Sequence, residues 1–139
     1  MRYKVGYSTI AILILVLLSV GSCGGKGSVN LVLNQAPNKC ATIDQSNATV
    51  TCEGGVISFS GVVITPDPCH YLTAGLEVMN RSNVVIGINA ESVLPDQDAY
   101  CVECIGEMSF DGTVSPVGSC SRRVSVVYNG ATIAEYEGQ

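Results

Sequence analysis

Residues 29 to 139 predict an all-β domain built as an antiparallel two-sheet sandwich, on three observations. Valine-rich segments broken by Gly, Asn, Asp and Pro recur along the chain, which is the punctuation of strands. Beyond the N-terminal apolar run, no segment carries a helical stripe of useful length. Gly54-Gly55 and Asn129-Gly130 lie between alternating apolar runs, as two-residue hairpin turns do. A count of about eight strands favours two packed sheets of the immunoglobulin-like kind, with a small β-barrel as the alternative. The chain has no tryptophan, so it lacks the Cys-Trp-Cys spacing of true immunoglobulin domains.

The first 22 residues read as an export signal: Arg2 and Lys4, the apolar run Ile10 to Leu18, then Ser19-Val-Gly-Ser22. That run is too short to span a bilayer. Val20-Gly21-Ser22-Cys23 looks like a lipobox, which implies cleavage before Cys23, lipidation of that cysteine and attachment to the membrane. An ordinary cleaved signal or an uncleaved anchor fits the same charge pattern, and each leaves the domain outside the cytoplasm. Residues 23 to 28 then form a flexible tether, and 29 to 139 a single domain with room for one core. From Cys23 onward there are five basic and twelve acidic residues, a net charge of −7 with no basic run. Such a chain is not expected to bind nucleic acid.

The strands follow in order, starting with Val29 to Leu33. Thr49 to Glu53 and Val56 to Ile64 pair across Gly54-Gly55, setting Cys52 opposite Ile57 and Val50 opposite Phe59. Leu72 to Asn80 and Val84 to Ala90 pair best across a three-residue loop, Arg81-Ser82-Asn83, with Val78 facing Ile86, Leu76 facing Ile88 and Asn83 in the left-handed region. Residues 100 to 110 read as one half-buried strand with Tyr100, Val102, Cys104, Gly106, Met108 and Phe110 on one face and Glu103 and Glu107 on the other. The Asn129-Gly130 turn sets Val126 against Ile133 in a closing hairpin.

Without Cys23, six cysteines remain, an even number in an exported chain, which reads as three disulfides. Cysteines three apart on a strand point to opposite faces, so Cys101 and Cys104 are not expected to pair or to share a metal, and Cys104 is assigned to the core. The preferred scheme joins Cys40 to Cys52, Cys69 to Cys101 and Cys104 to Cys120. A redox or zinc site built on Cys101-Val-Glu-Cys104 with Cys69-His70 is the competing reading, disfavoured by an oxidising compartment. A copper site using Cys69, His70 and Met108 would need Met108, which should point into the core.

Little else resembles chemistry. His70 is the only histidine and no nucleophile motif accompanies it, so no catalytic set and no cofactor are expected. Asp67, Asp96 and Asp98 would be brought together by a Cys69 to Cys101 bond and are weak candidates for a calcium site, with polar turns as the plainer reading. Asn47-Ala-Thr49 and Asn80-Arg-Ser82 match glycosylation acceptors and serve as surface markers.

Pro66-Asp-Pro-Cys-His70 followed by Tyr100-Cys-Val-Glu-Cys-Ile-Gly106 resembles small exported proteins and lipoproteins of archaea and bacteria, over roughly residues 56 to 136. The resemblance implies a secreted β-sandwich and brings no activity or catalytic residue with it. The expected function is that of a non-catalytic, lipid-anchored domain binding a protein, glycan or envelope component through its end loops. The alternatives are a protease inhibitor presenting Asp111 to Gly118 as a rigid loop, and a Cys-x-x-Cys redox or metal-handling protein.

Overall fold

The computed structural model describes residues 28–93 and 100–138 of the 139-residue chain, and nine strands form two sheets. Cys23, Asp96 and Asp98 lie outside the described residues. The first sheet has the order β1-β7-β4-β3, from β1 (Asn30–Gln35), β7 (Gly106–Ser115), β4 (Val56–Thr65) and β3 (Asn47–Glu53). The two-residue β2 (Lys39–Cys40) continues the β1 edge along β7, with Lys39 opposite Glu107 and Cys40 opposite Gly106. Pro37 lies in the break between β1 and β2, a position open to it because an edge strand can spare one N–H.

The second sheet has the order β5-β6-β8-β9, from β5 (His70–Met79), β6 (Asn83–Ser92), β8 (Arg123–Tyr128) and β9 (Ala131–Tyr136). Here β6 and β8 run parallel, because the chain crosses to the first sheet, lays down β7 and returns. Neither sheet closes into a barrel.

Inward residues of the two sheets meet in one core. Ile57, Phe59, Val63, Met108, Phe110 and Val114 come from the first, and Leu72, Val84, Ile86, Ile88, Val124 and Val126 from the second. Their period of two along each strand is what alternation in the sequence predicts for a sheet wet on one face. A side chain at Gly112 would collide with the Phe59 ring and the Val32 carbonyl, so glycine at this inward position makes room for the ring. The sheets are also tied by polar contacts. The Gln35 amide donates to the Leu72 carbonyl (3.0 Å) and accepts from its N–H (2.7 Å), occupying part of the exposed β5 edge. The Tyr128 hydroxyl donates to the Ile64 carbonyl at 2.6 Å.

The first hairpin has the expected register, Val50 opposite Phe59 and Cys52 opposite Ile57, with Gly54 and Gly55 at φ 57° and 78°. The second hairpin differs. Its turn is two residues long, Arg81-Ser82, and the Asn80 side-chain oxygen accepts from the N–H groups of Ser82 and Asn83, both at 2.8 Å. Asn83 starts β6 instead of occupying a left-handed loop position. Leu76 therefore faces Ile86 and Val78 faces Val85, with a bulge between Leu76 and Val78. In the closing hairpin Asn129 and Gly130 take φ 48° and 81° as expected, but a bulge between Val126 and Val127 moves Val126 from Ile133 to Ala134.

The largest correction concerns residues 100–105, which are not part of a strand: β7 begins only at Gly106. Tyr100 and Val102 are exposed instead of facing the core, and Cys104 is only half-buried. Disulfides join Cys40 to Cys104, Cys52 to Cys120 and Cys69 to Cys101. The expected Cys40 to Cys52 bond fails because β2 and β3 lie on opposite edges of the first sheet, three strand spacings or about 14 Å apart. The expected Cys104 to Cys120 bond fails because these residues flank opposite ends of the ten-residue β7, about 30 Å apart. Three disulfides are the mark of an oxidising, extracytoplasmic compartment.

Candidate functional site

Strand direction gathers one set of residues at a single end of the domain: the end of β4, the starts of β5 and β7, and β2. The first described residues and the C-terminal end of β9 lie at the other end, since Asn30 pairs with Ser115 and Tyr136 with Val124. The ten residues of β7 put about 30 Å between the two.

The gathered end is clamped by two disulfides, Cys69 to Cys101 and Cys40 to Cys104, so that the segment carrying Val102 and Glu103 is fastened on both sides. Val102 between the clamps is 67% exposed, Ile105 directly after the second clamp 59%, and Tyr100 directly before the first is exposed as well. Large apolar side chains held in water on a covalently fastened segment cannot retract into a core, which distinguishes them from scattered surface residues. An open cleft of about 430 Å³ runs between them and Pro66-Asp67. A second cleft, of about 510 Å³, opens between the start of β3 and the closing hairpin, lined by Gln45, Asn47, Tyr128 and Thr132.

Asp67 organises the floor of the first cleft. Its Oδ1 accepts from the Cys69 N–H at 2.8 Å and lies 2.8 Å from His70 Nδ1. Cys101 Sγ is 3.5 Å from the same oxygen, a contact only, because a disulfide sulfur carries no hydrogen to donate. Beneath, the Asn38 amide nitrogen donates to Thr65 Oγ1, the Asp67 carbonyl and the His70 carbonyl, while the buried Thr65 hydroxyl donates to the Asp67 carbonyl at 2.7 Å. Proline on either side of Asp67 leaves few backbone donors in this turn, and the Asn38 side chain satisfies its carbonyl from outside.

Beside this turn stands a buried carboxylate. Glu107 faces away from the core, as strand alternation predicts, yet it is only 6% exposed because the chain after β2 folds over it. Its Oε2 accepts from the Thr42 N–H (2.7 Å) and hydroxyl (2.8 Å), and Lys39 Nζ lies 3.2 Å from Oε1. The Thr42 backbone and hydroxyl hydrogen bonds, with Lys39 alongside and burial acting in opposition, lower its pKa from the ordinary 4.5 to about 2.

The structure thus brings Asp67, Cys69, His70 and Cys101 together. Their company with Asp96 and Asp98 lies outside the described residues. Met108 is buried in the core, as the strand alternation predicts and against the copper reading, which needs it as a ligand. The inhibitory-loop reading loses its loop: Asp111 to Ser115 are strand, paired with β1 and β4, and Val117 beyond them is buried. Sequence reasoning missed Asn38, Thr42 and Glu107. The available signal was Glu107 itself, an acid on a strand between two disulfide-forming regions, but no pattern showed what would cover it. Comparison with known proteins finds no matching family model, no similar curated protein and no similar solved structure.

Proposed function

We propose that the protein is a lipid-anchored, extracytoplasmic β-sandwich of the immunoglobulin-like kind that binds a protein, glycan or other envelope component through its disulfide-clamped end. The observation that carries this reading is the exposure of Val102 and Ile105 on a segment fastened by two disulfides. A surface held rigid before binding loses little conformational entropy on binding, so two or three such side chains suffice to anchor a partner. The lipobox-like Val20 to Cys23 supports a tether on the side of Asn30, which leaves the clamped end about 30 Å outward along β7.

A photo-cross-linking residue placed at Val102 on intact cells tests the reading. One discrete adduct, lost when Ile105 is changed to Asp and not formed from position 56 at the opposite end, is the expected result. Equal, diffuse labelling from both positions would sink it. Anchoring is tested separately: Cys23→Ala should move the protein from the membrane fraction to the soluble one, and unchanged fractionation would refute the lipid.

A further inference from the structure

The oxidised protein conceals a set of metal donors. A carboxylate oxygen of Asp67 and the sulfurs of Cys69 and Cys101 all lie within 4.8 Å of one another, and all three residues are half-buried. While the disulfide is closed its sulfurs are spent on each other, and the set offers a cation only one carboxylate. We infer that opening this one disulfide creates a binding site for a soft divalent cation such as zinc, with Asp67, Cys69 and Cys101 as its protein ligands.

The chemistry balances with a dithiol reductant. Its two thiols pass two electrons and two protons to the Cys69 to Cys101 bond, leaving two cysteine thiols here and a disulfide on the donor. Zinc then displaces the two thiol protons and is held by two thiolates and a carboxylate, with one position left for water. Tetrahedral coordination with zinc–sulfur bonds near 2.3 Å sets the sulfurs about 3.8 Å apart, an ordinary non-bonded separation for two thiols on neighbouring residues. The Cα atoms of Cys69 and Cys101 are already 5.9 Å apart, so no strand has to move.

Two features suit this site in particular. Asp67 is oriented in advance: its Oδ1 is held by the Cys69 N–H and by His70 Nδ1, each at 2.8 Å. A histidine that steadies a ligating carboxylate in this way is a positioning residue. Both Asp67 and Cys101 line the open cleft, so an ion has a path from solvent. Two thiolates and a carboxylate this close repel each other unless protonated or bridged, and a dication removes that repulsion. Among the described residues no such acid joins the neighbouring Cys40 and Cys104, and the nearby Glu107 is engaged by Thr42 and Lys39.

The test is native mass spectrometry of the exported protein during stepwise phosphine reduction with zinc present, the open cysteines of each species being assigned by alkylation. Species with Cys69 and Cys101 open should carry one zinc ion, and the fully oxidised protein none. Cobalt(II) in place of zinc should give sulfur-to-metal charge-transfer absorption. Asp67→Ala should weaken zinc binding by at least about tenfold, and His70→Ala by about tenfold with the same cobalt spectrum. Cys69→Ser with Cys101→Ser should abolish the site, and should that variant fail to fold, the reduction series on the unsubstituted chain still decides. Reduced species without zinc, or zinc retained equally by Asp67→Ala, would overturn the proposal. Neither result depends on whether the clamped end binds a partner.

Discussion

The hydroxyl of Tyr128 donates to the carbonyl of Ile64 across 2.6 Å, joining β8 of one sheet to β4 of the other at the edge of the shared core. Burial pushes the phenol's pKa up, so the hydroxyl keeps its proton and the bond persists across the ordinary pH range. Tyr128→Phe retains the ring and removes this bond alone. It should cost about 1 kcal/mol with an unchanged denaturant slope, and chemical denaturation with no loss of stability would show that the contact contributes nothing.

Glu107 makes stability depend on acid. Its pKa of about 2 in the folded protein lies below the ordinary 4.5, so its contribution is complete above pH 4.5 and is lost as pH falls from there through 2. Thermal melting between pH 6 and pH 2 should therefore fall steeply in the unsubstituted protein. Glu107→Gln should melt lower at pH 6 and show a flatter dependence, and parallel curves would refute the assignment.

The disulfide scheme is open to direct test. Peptide mapping without reduction should recover Cys40 linked to Cys104, Cys52 to Cys120 and Cys69 to Cys101. A peptide joining Cys40 to Cys52 would contradict the strand order itself, since it would bring the two edges of one sheet together. Replacing Cys52 and Cys120 by Ala, which releases a closure spanning 68 residues, should cost about 2–5 kcal/mol.

Gly112 sits where a methyl group would meet the Phe59 ring and the Val32 carbonyl. Gly112→Ala should destabilise by about 1–3 kcal/mol, and Phe59→Leu in the same chain should recover part of it. Additive losses in the double variant would mean that the two residues do not share the space.

How much of this was legible in the sequence depended on the range of the interaction. Turn chemistry is local, so Gly54-Gly55 and Asn129-Gly130 placed their hairpins, and the first register followed residue by residue. The second register failed at its turn, which Asn80 closes with two residues instead of three, and the closing one failed where a bulge between Val126 and Val127 absorbed a residue, because nothing in a valine-rich run marks where the ladder slips. The alternation of residues 100 to 110 was real but misleading, since it described a strand only from Gly106 onward. What ends the strand there is covalent and distant, two bonds to Cys40 and Cys69. The candidate site suffered in the same way: Asp67, Cys69 and Cys101 were named, whereas Asn38, Thr42 and Glu107 meet only through strand order.

The three bonds also overlap along the chain, 40 to 104, 52 to 120 and 69 to 101, so that every peptide link between residues 40 and 120 lies inside at least one closed ring. A protease that nicks the domain once anywhere in that span releases no fragment. In an oxidising, extracytoplasmic compartment such a protein keeps all its parts after a first cut, and only a second cut or a reductant begins to take it apart.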